Sequence, residues 1–314
     1  MRSSGLRNAL ALLLVLASAP VARAAHPLVA VVKSNAIGPF EEAAGAFTTA
    51  LRRSPTQPEV LSLDLEGEQR NATATLLALH ERRPALIVAV GSLATSVVLG
   101  DAWDVPVLFS MVLYPGQSGF VSHGGRPVSG ASLDVAPARQ FDVLRRLLPR
   151  ARRIGVLYHP AETGSIVEGA SAVAAERGFT LVAKQVDDPA GALAALGELM
   201  EGVDAVWTVA DSHVFTPQTT APLILAALRR GVPMLGLSPV HVRTGALAAL
   251  SCDYADVGSQ TAELAERVLR GENPATIPFA TPRKVTIALN LRTAQHLGLS
   301  VPADLEHDAG EVIR

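Results

Sequence analysis

The chain has 314 residues, enough for two domains of about 100–200 residues each. Hydrophobic residues make up 49% of it and aromatic residues only 4%, a composition that suits helices packed on parallel strands. Its formal net charge of −2 gives no electrostatic reason to expect a nucleic acid or an anionic membrane as a partner.

The first 24 residues have the pattern of an export signal. A basic start precedes an apolar core from Ala9 to Ala19, and Ala22-Arg23-Ala24 fits the small-x-small cleavage pattern. The core is shorter than the ~20 apolar residues that a permanent membrane span needs, although an uncleaved anchor remains the alternative. We therefore predict a signal peptide over residues 1–24, cleavage near Ala24 and a periplasmic mature protein.

Strand and helix patterns alternate strictly in the first part of the chain. Short apolar runs predict strands over residues 28–32, 60–64, 85–90 and 106–110. Helical patterns lie between them, over residues 38–53, 68–81 and 92–99. This alternation predicts a parallel sheet with right-handed crossovers.

A second, similar series follows a region with little pattern. Residues 114–127, rich in Gly, Ser and Pro, are predicted to form a loop beside a cleft, and residues 129–134 to carry the chain between two lobes. The next predicted strands cover residues 154–158, 179–186, 205–210, 233–237, 246–250 and 285–289. The predicted helices cover residues 137–149, 164–177, 189–200, 217–230, 256–270 and 291–297.

Two strands in the two series end in polar residues, and both are followed by a helix and a Val-Pro strand. Gly91 and Ser92 end the first, and Asp211 and Ser212 end the second. Ligands of open α/β sheets bind outside the carboxyl ends of the strands. We therefore expect these two ends to face each other across a cleft between two α/β lobes.

The polar strand ends suit binding chemistry. Gly91 and Ser92 place a hydroxyl and free N–H groups at a helix start, which is either a site for a carboxylate or phosphate or an ordinary N-cap. Asp211 either binds an ammonium group or caps the helix after it. With Tyr158 as an apolar wall, the set suits a small zwitterion.

No catalytic or metal-binding motif stands out. The sequence has no Gly-x-Ser-x-Gly elbow, no Walker loop and no His-Glu-x-x-His. His123, His159, His213 and His241 have no metal-ligand spacing. The single cysteine, Cys252, allows no internal disulfide and lies in an apolar stretch that favours a small core residue over a reactive thiol. We predict no catalytic residue, no metal and no cofactor.

Several stretches together resemble a known family. They cover residues 84–92, 153–160, 204–207, 232–236, 245–248, 253–254 and 289–299. In order and spacing they are similar to the ABC transporter substrate-binding proteins of the tryptophan/tyrosine-binding type, from about Leu28 to Pro302. The resemblance implies an α/β fold of two Rossmann-like lobes with parallel sheets, joined by a three-crossing hinge: the class I periplasmic-binding fold.

The resemblance also implies lobe boundaries. Crossings near Asp134, Ser251 and Thr281 divide the chain into an N-terminal lobe, residues 25–133 and 251–281, and a C-terminal lobe, residues 134–250 and 282–314. Ligand contacts would fall at Ser34 or Asn35, Gly91, Ser92, Ser110, Met111, Val112, Leu113, Tyr158, Asp211, Ser238 and Asp253.

The chain departs from the family pattern at three strand ends. Ala210-Asp211-Ser212 replaces Thr-Asp-Asn, and Tyr158-His159-Pro160 replaces Tyr-Asn-Pro. Residues 111–115 lack the carboxylate that the family tends to have after its fourth strand. These departures concern the ligand rather than the fold.

The prediction for function is a periplasmic solute-binding protein of an ABC transporter. It would close two lobes on a small organic, amino-acid-like ligand and deliver it to a permease in the inner membrane, as a monomer and without nucleic acid. The alternative is a periplasmic sensory receptor that passes its ligand state to a membrane sensor. An enzyme is disfavoured because no nucleophile is paired with a base.

Overall fold

The computed structural model of the protein describes residues 26–101, 104–121 and 127–314. The predicted signal peptide, residues 1–24, and His123 lie outside these ranges. Within them, no helix combines the length and the apolar character that crossing a membrane requires.

The N-terminal part of the chain forms a five-stranded parallel sheet. Its elements are β1 (Leu28–Lys33), α1 (Gly38–Arg52), β2 (Glu59–Asp64), α2 (Ala72–Arg82), β3 (Leu86–Val90), α3 (Ser92–Leu99), β4 (Val107–Val112) and β5 (Val128–Ser132). The strand order is β2-β1-β3-β4-β5. Every residue of β3 and β4 is buried, as expected of strands covered on both faces.

The remaining chain forms a seven-stranded sheet. Up to residue 252 its elements are α4 (Pro137–Leu147), β6 (Arg153–Tyr158), α5 (Pro160–Glu176), β7 (Thr180–Gln185), α6 (Ala192–Leu199), β8 (Ala205–Trp207), α7 (Thr220–Arg229), β9 (Met234–Gly236), α8 (Pro239–Thr244) and β10 (Ala248–Cys252). After these come α9 (Tyr254–Leu269), β11 (Val285–Asn290), α10 (Leu291–His296), α11 (Ala303–His307) and β12 (Glu311–Ile313). The strand order is β12-β11-β10-β9-β8-β6-β7.

Each lobe is a sheet with helices on both faces. Along β1, Val29 and Val31 belong to one buried cluster and Ala30 and Val32 to another, because successive side chains of a strand point to opposite faces. The predicted α/β architecture of two lobes with largely parallel sheets is confirmed. Among the described strands, β11 pairs antiparallel with β10, so β11 and β12 run opposite to the other strands of the second sheet.

The chain passes three times between the two sheets. It enters the second sheet after β5 and leaves it after β10, because α9 packs on α1 and on β4 of the first sheet. The segment before β11 still pairs with the first sheet, where Ala280 exchanges backbone hydrogen bonds of 2.8 Å with Gly130 and Ser132. Ser251 and Cys252 pair with Thr286 and Val285 in the second sheet, so the second passage follows Cys252.

Several elements differ from the sequence-based prediction. Residues 129–134, predicted as a passage between lobes, largely belong to β5, whose small residues allow a close approach: a Cβ on Gly130 would lie 2.1 Å from the Phe109 carbonyl oxygen. The strand predicted over residues 205–210 ends at Trp207, because the chain then turns into the cleft. Helices α8 and α11 and strand β12 were not predicted, since their short segments carry no periodic apolar pattern.

Candidate functional site

Two adjoining cavities lie between the lobes, with volumes of about 550 and 610 Å³. They share Leu113, Tyr114, Gln117, Ala210 and Leu237, so the loop after β4 faces the ends of β8 and β9 across both. Cavities of this size suit a small organic ligand. The first cavity is also lined by Ser92, Glu162, Asp211, Ser212 and Phe215, which makes it the more polar of the two.

Tyr114 connects the two lobes directly. Its hydroxyl accepts the backbone N–H of Ala210 at 3.1 Å, and its own N–H donates to Asp134. The residue has φ of 48°, in the left-handed region, which turns the chain after β4 into the cleft. Burial raises the pKa of the Tyr114 phenol to about 12, and nearby carboxylates add to the rise. The phenol therefore stays protonated at physiological pH.

We expect Tyr114→Phe to lower the free energy of unfolding by about 0.5–1.5 kcal/mol, because the Ala210 N–H loses its partner. Urea unfolding of the two proteins gives this difference. Tyr254→Phe is the matched control, since the Tyr254 hydroxyl makes no hydrogen bond that the structure describes. Equal losses in the two variants would contradict a specific bond between the lobes.

The start of α3 is capped by a residue distant in sequence. Gly91 at the N-cap has no side chain, and the hydroxyl oxygen of Ser34 accepts the Ala94 N–H at 2.9 Å instead. Gly91 has φ of 87°, and a Cβ on it would lie 2.6 Å from Ser34 Oγ. The absence of a side chain at Gly91 thus lets Ser34 reach the helix, while Ser92 faces the first cavity.

Ser34→Ala should cost about 1 kcal/mol of stability, the usual effect of losing a side-chain N-cap. Thermal unfolding with Ser171→Ala as the control would measure it, because Ser171 only donates to the Val167 carbonyl of its own helix. An unchanged midpoint for Ser34→Ala would show that the hydroxyl does not cap α3.

Asp211 lies in the wall of the first cavity, but its carboxylate is taken up by the protein. The side chain is only 2% exposed. Four protein groups donate to it: the backbone N–H groups of His159, His213 and Val214, and the hydroxyl of Thr163. The sequence left two roles open, capping of the following helix and ammonium binding. The contacts are those of a cap, but of the turn at residues 211–214, since α7 begins only at Thr220. Asp211 holds the end of β6 against the loop after β8.

Glu162 and His213 continue this network at the mouth of the first cavity. Burial opposes ionisation of Glu162, but hydrogen bonds from His213 and Ser212 outweigh it and lower the pKa of the carboxyl below its usual value. The His213 ring stacks on His159 with centroids 4.0 Å apart. Possible ligand atoms of Glu162, Asp211 and His213 lie within 4.8 Å of one another. Since the Asp211 carboxylate already accepts four hydrogen bonds, we assign this group to positioning the loop rather than to holding a metal.

Three predicted contact residues line a described cavity: Ser92 and Asp211 line the first, and Leu113 lines both. The other predicted contacts are not among the residues that line either cavity: Ser34, Asn35, Gly91, Ser110, Met111, Val112, Tyr158, Ser238 and Asp253. The Ser110 hydroxyl, for example, is buried against Thr261 at 2.8 Å, and Asp253 caps α9 by accepting the Asp256 N–H. Ligand binding by these residues stays a prediction.

The second cavity has an apolar wall that the sequence did not reveal. Trp207, Tyr254 and Phe279 line it, together with a single charged residue, Asp134. Trp207 is 1% exposed, and its indole N–H donates to Gln140 at 2.7 Å. These residues come from four separate chain segments. Trp207 and Tyr254 lie in stretches that resemble the family, and Asp134 was predicted as a crossing between the lobes, but none of the four was predicted to contact a ligand.

Cys252 also lines the second cavity and is 7% exposed. Burial raises the pKa of its thiol to about 11, so that the thiolate is scarce at neutral pH. This agrees with the prediction of a small core residue.

Comparison with known proteins gives consistent results. A family model described as ABC transporter substrate binding protein matches residues 60–313. A curated relative named tyrosine-binding protein, from Clostridioides difficile (strain R20291), is 25% identical over 219 residues. The match covers 68% of this chain and 63% of the relative, so the chain spans less than two thirds of that protein's length.

Solved structures share the fold. The ABC domain from Streptococcus pneumonia in complex with L-Trp has a TM-score of 0.68 and 22% identity, over 92% of this chain and 100% of the other. A ligand-free, open substrate-binding protein with adhesive properties from Clostridium difficile has a TM-score of 0.74 and 20% identity, over 92% and 99%. The predicted periplasmic-binding fold is confirmed.

Proposed function

Because the chain belongs to the family of ABC transporter substrate-binding proteins, we propose that it binds a small amino-acid-like ligand between its lobes and delivers it to a membrane permease. The family is one of substrate-binding proteins and not of enzymes, so the prediction that the chain is not an enzyme is confirmed.

One observation carries the proposal: Ser92 of the first lobe and Asp211 of the second line the same cavity. Each follows the carboxyl end of a strand of its own sheet, where α/β proteins bind ligands. A ligand in this cavity would contact both lobes, and only a ligand that contacts both can favour a closed arrangement over an open one.

The ligand class rests on the relatives and on the cavity walls. The curated relative is named for tyrosine, and one solved neighbour holds L-Trp. Aromatic and aliphatic side chains of the second cavity suit an apolar ligand body. For a ligand carboxylate we propose the N-terminus of α3 at Ser92, where N–H groups and the helix dipole favour an anion.

For the motion, we propose the three passages between the sheets as the hinge. The moving lobes would be residues 25–133 with 251–281 and 134–250 with 282–314, except that Ser251 and Cys252 pair within the second sheet and would move with the second lobe. The protein would act as a monomer in the periplasm after removal of residues 1–24. Closure by a hinge of a few segments is the usual way in which two-lobed binding proteins enclose a ligand.

Isothermal titration of the mature protein with amino acids and small organic acids tests the binding. We expect heat from at least one compound and a raised unfolding temperature with the same compound. Uptake of that compound in a strain without the protein tests delivery. No heat and no thermal shift across the panel would contradict binding, and unchanged uptake would favour a sensory role.

A further inference from the structure

Two large apolar side chains in the wall of the second cavity are partly exposed, although apolar side chains of this size are usually buried in a folded protein. Leu113 and Phe279 are 38% and 37% exposed, and both face this cavity. The rings of Tyr254 and Trp207 line it as well. Apolar surface that is left open inside a cleft marks a place that a ligand covers. The body of the ligand that fits here is therefore apolar.

A single carboxylate lies among these side chains. Oδ1 and Oδ2 of Asp134 lie 2.9 and 3.2 Å from the backbone N–H of Tyr114, and the Ser132 side chain also hydrogen-bonds to the carboxyl. A carboxylate can accept about four hydrogen bonds, so Asp134 has acceptor positions left. In the part of the chain that the structure describes, no Lys, Arg or His forms an ion pair with it or lines the cavity.

The surroundings of Asp134 leave its charge without compensation. Burial raises the pKa of the carboxyl, and hydrogen bonding from Tyr114 and Ser132 reverses only part of the rise. Asp211 is the opposite case, because four donors saturate it. Of the two carboxylates, Asp134 is the one with capacity for a cation.

We propose that the second cavity binds the ammonium group of an amine with an apolar, aromatic body, and that Asp134 is the counter-ion. This inference rests on the proposed function and deepens it, because it names the charged group that the ligand must carry. The ring of Tyr254 would add cation–π attraction to an ammonium group beside it. No basic side chain lines either cavity within the described ranges, so a ligand carboxylate is not required.

Isothermal titration with nine compounds tests the inference. Three ring systems, phenyl, hydroxyphenyl and indolyl, are each supplied as the α-amino acid, as the amine without the carboxylate and as the acid without the amine. We expect at least one amino acid and its matching amine to bind, and the matching acid to bind at least about tenfold more weakly. Asp134→Asn should weaken binding of the amine by about 10- to 100-fold. Asp142→Asn, on the exposed face of α4, is the control for a change of net charge and should leave the affinity unchanged.

Stability without ligand separates a binding role from a structural one. The folded pKa of Asp134 lies above the value of 3.8 for a free carboxyl, so ionisation costs the folded protein stability once the pH rises above 3.8. Asp134→Asn keeps an oxygen for the Tyr114 N–H and removes this cost. We therefore expect a higher unfolding midpoint than wild type at pH 7, and a difference that disappears below pH 3.8. A structural residue would lose stability at both pH values.

Three outcomes would overturn the inference. The first is that the acids without an amine bind as tightly as the amines. The second is that Asp134→Asn keeps full affinity for the amine. The third is that none of the nine compounds binds. The proposed function fails separately, when the wider panel of amino acids and small organic acids gives neither heat nor a thermal shift.

Discussion

Asp211→Ala should lower the free energy of unfolding by about 3–5 kcal/mol, a large share of the stability of an ordinary domain. The substitution removes the acceptor of three backbone N–H groups and of the Thr163 hydroxyl. Asp211 is only 2% exposed, so these donors face a site that water hardly reaches. Donors left buried without a partner cost more than a simple loss of hydrogen bonds. Denaturant unfolding monitored by circular dichroism measures the effect.

Two further variants make the result specific to this network. Asp211→Asn keeps one acceptor oxygen and should fall between wild type and Asp211→Ala. Asp188→Ala removes an exposed cap that accepts one N–H, from Ala190, and should cost about 1 kcal/mol. A loss for Asp211→Ala no larger than that of Asp188→Ala would show that Asp211 does not hold the two strand ends together.

Gly258→Ala should destabilise the first lobe by about 1–3 kcal/mol or more, because α9 lies directly against α1 at this point. A Cβ on Gly258 would lie 2.1 Å from the carbonyl oxygen of Ala43, and a backbone atom cannot move aside as a side chain can. The contact also joins chain segments on either side of the second lobe. Its loss should therefore weaken the packing of α9 on the first lobe, and urea unfolding should measure the lower free energy of unfolding.

Gly45→Ala, on the facing helix, is the matched control. Nothing lies within 4 Å of the position that its Cβ would take, and alanine is the better helix former by about 0.5–1 kcal/mol. This variant should be slightly more stable than wild type. Effects of the same sign in both variants would contradict the close packing of α1 and α9 at Gly258.

Strongly patterned elements could be predicted from the sequence. The helix predicted over residues 92–99 is α3 (Ser92–Leu99), and the fully apolar run of β3 was predicted to within one residue. The strand β5 could not be predicted, since its Ser129 and Gly130 are buried through close backbone packing rather than through apolar side chains. The antiparallel β11 depends on where the chain returns from the first lobe, which no local pattern records.

At the site, the rule that ligands bind at the carboxyl ends of the strands predicted which residues lie at the cleft, but not their hydrogen-bond partners. It placed Ser92 and Asp211 beside one cavity. It could not show that Thr163 and His159 occupy the Asp211 carboxylate, because those donors lie about fifty residues earlier. Likewise, residues 111–115 contain no carboxylate, but Asp134 from another segment accepts the Tyr114 N–H and so places one beside them. Proximity of this kind appears only in the folded chain.

A crystal structure of the mature protein with a ligand found by titration tests the central claim most directly. The account predicts density for the ligand between the two sheets, in contact with Tyr114 and with residues of both lobes around the two cavities. Density on the outer surface of one lobe, with both cavities filled only by water, would contradict it.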